Sequence, residues 1–163
     1  MVLDRKRTPG DSIRAVAINS GNANACTGER GDQDAARMAA LAAETCGAQP
    51  EQVLVLSTGV IGEFMPMEKV ASGIRDAAGK LASDEAALVA AATGMLTTDT
   101  THKLASRQIK VGDHTYRLVG MAKGAAMIGP RMATMLGVIL TDAPLKPADA
   151  QSLLSGAVED SFN

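Results

Sequence analysis

Residues 15–24 read AVAINSGNAN, a short apolar run that passes directly into small polar residues. The four apolar residues from Ala15 to Ile18 predict a buried strand. The next four, Asn19-Ser20-Gly21-Asn22, are typical of a turn, because Asn, Ser and Gly favour turn conformations of the backbone. The stretch therefore predicts a strand that delivers polar groups to one edge of a sheet.

The same pattern returns further along the chain, where the apolar run Val53 to Leu56 is broken by Ser57-Thr58-Gly59. Between and after these two strands the apolar residues recur at helical spacing. Helices are predicted from about Asp32 to a stop at Gly47, from Pro66, after an N-cap at Ser83, and from Pro147.

The second half of the chain has strand-like spacing. Residues 108–111 and 114–119 flank Gly112-Asp113, which predicts a hairpin with a two-residue turn. A loop at 123–127 and a strand at 134–140 follow. Helices alternate with strands, but a hairpin is included, so we expect an α+β fold with mixed-sheet α/β layers. No repeat or linker interrupts residues 1–163, which indicates a single domain.

Composition excludes several classes of partner. A formal net charge of −2 gives no electrostatic reason to expect nucleic acid or an anionic membrane. The chain has only two Phe, one Tyr and no Trp, so it lacks the stacking platforms that single-stranded nucleic acid needs. No apolar run is long enough for a membrane span, and no secretory segment is present. The two cysteines are then expected to be reduced thiols, and the protein to be cytoplasmic.

Metal and cofactor signatures are missing from the sequence, so we expect neither a metal site nor a bound cofactor. Only two histidines are present, which leaves few candidates for a histidine-based triad. Small polar segments at predicted strand ends remain, and taken singly each is more typical of a turn than of a site. These segments are 19–24, 57–59, 97–100 and 123–127. Composition and spacing alone therefore indicate an α/β domain without deciding whether it is an enzyme.

Four longer stretches, taken together and in this order, resemble the ornithine acetyltransferase family, also called the bifunctional glutamate N-acetyltransferases. They are AVAINSGNANACTGERGDQDA (15–35), VLVLSTGVIGEFMPMEKV (53–70), MLTTDTTHKLA (95–105) and GMAKGAAMIGPRMATMLGVILTDA (120–143). The block NSGNANACTG and the run MATML are the most specific parts. The resemblance implies the family's αββα layered sandwich. Because members of the family are more than twice as long, it also implies that this chain is a central portion of such a protein.

The resemblance implies self-cleavage between Ala133 and Thr134, after which Thr134 begins a second subunit and acts as the nucleophile. The chemistry is reasonable, since a threonine hydroxyl needs a base to take its proton. The α-amino group that cleavage frees has a pKa ordinarily close to neutral pH and can serve as that base. Without the resemblance, Thr134 is simply the first residue of a buried strand.

Four further residues match family positions. Thr58 and Gly59 match the residues that form the oxyanion hole, where hydrogen-bond donors stabilise negative charge on the reacting oxygen. Thr97 and Lys123 match substrate-binding residues, and a lysine can attract an amino-acid carboxylate. The alternatives are a strand-ending turn for the first pair and a solvated surface lysine for Lys123. The asparagines at 19, 22 and 24 are expected to hydrogen-bond neighbouring loops as structural support.

The implied reaction moves an acetyl group from N-acetylornithine to glutamate through an acetyl-threonine intermediate, within cyclic arginine biosynthesis. Some relatives also accept acetyl-CoA, a property that these residues do not decide. The family assembles as an α2β2 heterotetramer after cleavage. Two other readings stay open: a related self-processing amidohydrolase or aminopeptidase, with water as the final acceptor, and an inactive fragment of the transferase.

Overall fold

The structure is a computed structural model that describes residues 1–125 and 135–161. The chain divides into two compact units, Met1–Ala87 and Leu88–Asn163, and each is described by itself. The single domain expected from the sequence stays a prediction. The predicted cleavage site, Ala133 and Thr134, lies outside the described residues.

The first unit contains two parallel strands, and a long helix packs on both of them. The strands pair in register from Ala15 opposite Val53 to Gly21 opposite Gly59. Its elements in chain order are helix α1 (Val2–Arg5), strand β1 (Ala15–Asn22), helix α2 (Gly28–Cys46), a 3-10 turn (Pro50–Gln52), strand β2 (Val53–Val60) and helix α3 (Met67–Ala78).

Both strands of this unit are longer than predicted. The sequence suggested turns at 19–22 and 57–59, but the structure continues the parallel pairing through both segments. Ser20 lies opposite Thr58, and Gly21 lies opposite Gly59. Turn-type residues stay in the ladder because pairing uses backbone groups, which do not depend on the side chains. The polar groups therefore lie within the ends of the strands.

Helix α2 begins at Gly28, before the predicted Asp32, and ends as predicted at Gly47, whose φ of 65° is left-handed. Its buried face consists largely of alanine, so the helix can approach the strands and α3 closely. The buried core of the unit comprises Met38, Ala39, Ala42, Ala43, Val53, Val55, Met65 and Met67.

The second unit contains an antiparallel sheet in the order β3-β4-β5. The predicted hairpin is confirmed, and its turn contains Gly112 with a φ of 59°. Strand β3 starts at Lys103, earlier than the predicted residue 108. The prediction missed its first residues because mostly exposed side chains give no alternation of apolar and polar residues. The remaining elements are α4 (Glu85–Gly94), β3 (Lys103–Val111), β4 (His114–Lys123), β5 (Leu136–Thr141) and α5 (Pro147–Ser161). The division between the units falls within α4.

One helix cap differs from the prediction. Asp84, not Ser83, accepts a hydrogen bond from the Ala87 backbone N–H at 2.8 Å. The parallel pair in one unit and the antiparallel sheet in the other confirm the predicted mixture of helices with mixed strand pairing. Among residues 1–125 and 135–161, no helix combines the length and apolar character needed to cross a bilayer.

The core of the first unit gives a direct test of its packing. Met38 is 1% exposed, so Met38→Ala leaves a cavity and should lower the free energy of unfolding by about 2–5 kcal/mol. Urea denaturation followed by circular dichroism measures the change. Leu81→Ala is the control, because Leu81 is 72% exposed and its loss should change stability little. Equal effects of the two substitutions would contradict this description of the core.

Candidate functional site

The residues predicted for the oxyanion hole lie near the end of β2. The Thr58 side chain is buried at 3% exposure, and Gly59 follows with a φ of 133°. A positive φ in this range is strained for any residue with a side chain, whereas glycine adopts it readily. The sequence Thr58-Gly59 therefore places a backbone conformation that only glycine adopts without strain directly after a buried threonine.

The backbone of Gly59 also approaches the neighbouring strand very closely. A Cβ atom at Gly59 would lie 2.2 Å from the carbonyl carbon of Gly21 and 2.6 Å from the backbone nitrogen of Asn22. These separations are far below a van der Waals contact, so glycine is required by space as well as by φ. The close approach brings the backbone at the ends of β1 and β2 together.

Asn22 joins the end of β1 to the segment that follows β2. Its buried side chain donates from Nδ2 to the carbonyls of Glu63 and Phe64, at 3.0 and 3.2 Å. Its Oδ1 accepts from the backbone N–H of Asn24 at 2.7 Å. Asn19 donates to the Asn22 carbonyl at 2.9 Å. The Asn22 amide therefore links the backbone at Asn24 to the segment at 63–64, close to Gly59.

Asn24 connects the same turn to the start of α2. Its Nδ2 donates to the Gly31 carbonyl at 2.8 Å, and its Oδ1 accepts from the Thr27 hydroxyl at 2.8 Å. Its φ of 46° is left-handed, a conformation that Asn tolerates better than most residues. The hydrogen bonds that were expected from the three asparagines are present in the structure.

The two residues predicted to bind substrate contact each other in the second unit. Lys123 is the last residue of β4, and it is only 5% exposed. Its Nζ donates to the Thr97 hydroxyl at 2.8 Å. Lys123 is therefore a buried lysine in a defined hydrogen bond, which argues against the alternative of a solvated surface residue.

Asp99 lies two residues after Thr97 and forms a group with Thr97 and Lys123. Its side chain is fully buried, and its Oδ1 accepts from the Gly124 backbone N–H at 2.8 Å and from the Lys103 ammonium. Burial acts to raise the pKa of Asp99. The hydrogen bonds from Lys103 and Gly124, with the positive charges of Lys103 and Lys123, outweigh burial and hold this pKa below its usual value.

The sequence analysis singled out the segment that contains Asp99 but assigned the aspartate no role. The sequence held one signal for Asp99, which is an acidic residue between two threonines shortly before a strand. An acidic residue is seldom buried without a partner. By formal charge, Asp99, Lys103 and Lys123 together carry one net positive charge. Such a group suits a ligand with a carboxylate.

The structure thus brings the predicted residues together as two pairs, each within its own unit. Thr58 and Gly59 lie beside the end of β1, and Thr97 contacts Lys123. The described residues contain no cluster of three or more His, Cys, Asp or Glu side chains suited to holding a metal ion.

Comparison with known proteins identifies relatives along the whole chain. The sequence model of the ArgJ family matches residues 1–163. The arginine biosynthesis bifunctional protein ArgJ of Rhodopirellula baltica is 47% identical over 163 residues, which are 100% of this chain and 40% of that protein. The protein of the same name from Symbiobacterium thermophilum is 49% identical, with the same coverage. The chain therefore spans about 40% of the length of these curated relatives.

Two solved structures are similar to this chain. The crystal structure of the arginine biosynthesis bifunctional protein ArgJ from Bacillus halodurans has a TM-score of 0.65 and 42% identity, covering 74% of this chain and 61% of that one. Ornithine acetyltransferase from Mycobacterium tuberculosis, complexed with ornithine, has a TM-score of 0.60 and 28% identity, covering 74% of this chain and 62% of that one. Both similarities support the α+β fold described above.

The close approach at Gly59 predicts a large effect of one methyl group. Gly59→Ala should lower the free energy of unfolding by more than about 2 kcal/mol, because its Cβ would meet the Gly21 backbone and its φ is unfavourable. Gly73→Ala is the matched control. Gly73 lies in α3 with open space at its Cβ position, so this change should stabilise the helix by about 0.5–1 kcal/mol. Urea denaturation measures both, and a neutral Gly59→Ala would contradict the geometry.

Proposed function

The chain belongs to the ArgJ family, and we propose that it forms part of an enzyme that transfers an acetyl group from N-acetylornithine to glutamate. The observation that carries the proposal is the buried ammonium of Lys123, held by Thr97 in a group with net positive charge. Both proposed substrates carry a carboxylate that such a group can attract. The similar ornithine acetyltransferase from Mycobacterium tuberculosis, which was solved with ornithine, supports the same substrate class.

In this proposal the chain first cleaves itself between Ala133 and Thr134. The new α-amino group of Thr134 then takes the proton from its own hydroxyl, so that the oxygen can attack. Threonine needs such a base because its hydroxyl is a poor nucleophile near neutral pH. The scheme needs no catalytic histidine, metal ion or bound cofactor.

Thr58 and Gly59 are proposed to stabilise the tetrahedral intermediate. A hydroxyl and a glycine N–H are both suitable donors to a developing oxyanion, and donors of this kind can each contribute about 3–4 kcal/mol. The close packing of Gly59 against the Gly21 backbone supports this role, because preorganised donors cost no reorganisation during the reaction. The hydrogen bonds of Asn22 hold the surrounding backbone in place.

The proposed chemistry has two half-reactions. The Thr134 oxygen attacks the acetyl carbonyl carbon of N-acetylornithine, the C–N bond breaks, and the leaving amine takes the proton to give ornithine. The amine of glutamate then attacks the acetyl-threonine ester, the C–O bond to Thr134 breaks, and the hydroxyl regains its proton. Thr97 and Lys123 are proposed to bind the substrate carboxylate in both steps. Acetyl-CoA is tested beside N-acetylornithine as a second acetyl donor.

Assembly and location belong to the same proposal. Cleavage yields two polypeptides, which we propose remain associated as an α2β2 heterotetramer. We place the protein in the cytoplasm, as its two exposed cysteines favour a reducing compartment. Some fungal relatives, such as that of Arthroderma otae, are named as mitochondrial.

Self-cleavage can be tested by intact mass spectrometry of the purified full-length protein. We expect two pieces, the second beginning at Thr134, because the reaction requires a free amino group on that residue. Thr134→Ala removes the hydroxyl and should leave the chain whole. A folded wild-type protein that stays uncut, or a Thr134→Ala variant that is cut at the same bond, would contradict the proposal.

The cleaved protein is then given N-acetylornithine, or acetyl-CoA, together with glutamate. Formation of N-acetylglutamate with little free acetate is the expected result, because glutamate and not water is the proposed acceptor. Release of acetate without N-acetylglutamate would instead favour the amidohydrolase alternative. No turnover of either donor by the cleaved protein would favour the inactive alternative.

A further inference from the structure

We propose that Asp99 is a positioning residue that holds the Lys123 ammonium where it can bind the carboxylate of the amino-acid substrate. The inference rests on the proposed function, since it concerns the substrate group that Lys123 binds. It concerns a residue to which the sequence analysis assigned no role.

The loop at 97–100 holds Lys123 at two points. Thr97 accepts a hydrogen bond from Lys123 Nζ at 2.8 Å, which fixes the tip of the side chain. Asp99 accepts the backbone N–H of Gly124 at 2.8 Å, which fixes the main chain directly after Lys123. Because both contacts come from residues two positions apart, the loop sets the position of the lysine backbone and ammonium together.

Burial makes a counter-charge for Lys123 necessary. Lys123 as a residue is only 5% exposed, so its charged side chain has lost most of its hydration, which is costly unless a negative charge lies nearby. The fully buried carboxylate of Asp99 carries a negative charge on the same loop as Thr97, and the positive charge of Lys123 helps to lower the pKa of Asp99. Lys103, which also pairs with Asp99, is 48% exposed and is therefore partly solvated.

The other carboxylate oxygen of Asp99 argues for a role beyond folding. Asp99 Oδ2 is buried and accepts no hydrogen bond from the residues that the structure describes. A buried acceptor of this kind lowers stability, so a carboxylate is a poor choice if the site only had to fold. A neutral side chain of the same size would not supply the negative charge that Asp99 brings to this group.

The formal charges of this group favour an anionic ligand. One aspartate and two lysines sum to one net positive charge, which can attract a carboxylate. Gly124 has a φ of 151°, so the chain bends immediately after Lys123 in a conformation that favours glycine. Asp99 fixes this bend, and thereby the direction from which Lys123 meets the substrate.

The test compares substrates with and without the carboxylate in the full-length protein. We define the carboxylate preference as kcat/KM for N-acetylornithine divided by kcat/KM for its carboxamide, with glutamate as acceptor. Lys123→Met gives the lower limit of this preference. Asp99→Asn keeps an acceptor for the Gly124 N–H but removes the charge, so Lys123 can move toward solvent. We expect the preference to fall about tenfold, mainly through a higher KM for N-acetylornithine.

Asp142→Asn is the matched control. Asp142 is an exposed aspartate of the same unit whose Oδ1 also accepts a backbone N–H, that of Arg117 at 2.7 Å. The Asp142→Asn variant should retain the wild-type carboxylate preference, because the charge of Asp142 does not position a lysine. Thermal unfolding checks that each variant is folded. If Asp99→Asn is unfolded, Asp99→Glu replaces it: it keeps the charge but shifts the carboxylate, and should lower the preference as well.

The outcomes separate the two proposals. A wild-type protein that makes no N-acetylglutamate overturns the proposed function and this inference with it. A wild-type protein that is active, with a folded Asp99 variant whose carboxylate preference equals that of Asp142→Asn, overturns the positioning role alone. A fall in the preference toward the Lys123→Met limit supports it, since a merely structural role would lower activity on both substrates equally.

Discussion

The close approach of Gly21 and Gly59 across the parallel pair is the constraint on which the first unit depends. A Cβ atom at Gly59 would overlap the backbone of the neighbouring strand, so the register of the strand ends requires a residue without a side chain. The buried hydroxyl of Thr58 and the amide hydrogen bonds of Asn22 are placed by that register. Donors placed in advance in this way are what the proposed oxyanion-hole role requires.

Much of the fold follows from the sequence because its elements have strong local signals. The end of α2 at Gly47 and the hairpin turn at Gly112 were predicted correctly, since each position favours a left-handed backbone. The strand ends at 19–22 and 57–59 were predicted as turns. Local composition could not reveal that the two segments pair with each other, because that pairing depends on a partner far along the chain.

The site shows the same limit. The resemblance to the transferase family supplied Thr58, Gly59, Thr97 and Lys123, and the structure adds contacts among them that no single segment encodes. Asp99 lies far from Lys123 in sequence, yet its carboxylate accepts the backbone N–H of Gly124, the residue directly after Lys123. Residue types alone suggested a turn and a surface lysine. Packing instead buries Lys123 in a hydrogen bond with the Thr97 hydroxyl.

The central claim is that the acetyl group passes through Thr134, and trapping that intermediate tests it most directly. Purified and cleaved full-length protein is mixed with N-acetylornithine in the absence of glutamate, quenched in acid and analysed by mass spectrometry with peptide mapping. The account predicts that the subunit beginning at Thr134 gains the mass of one acetyl group on the side chain of that residue, and loses it when glutamate is added. An active protein that carries no acetyl group on Thr134 would contradict the account.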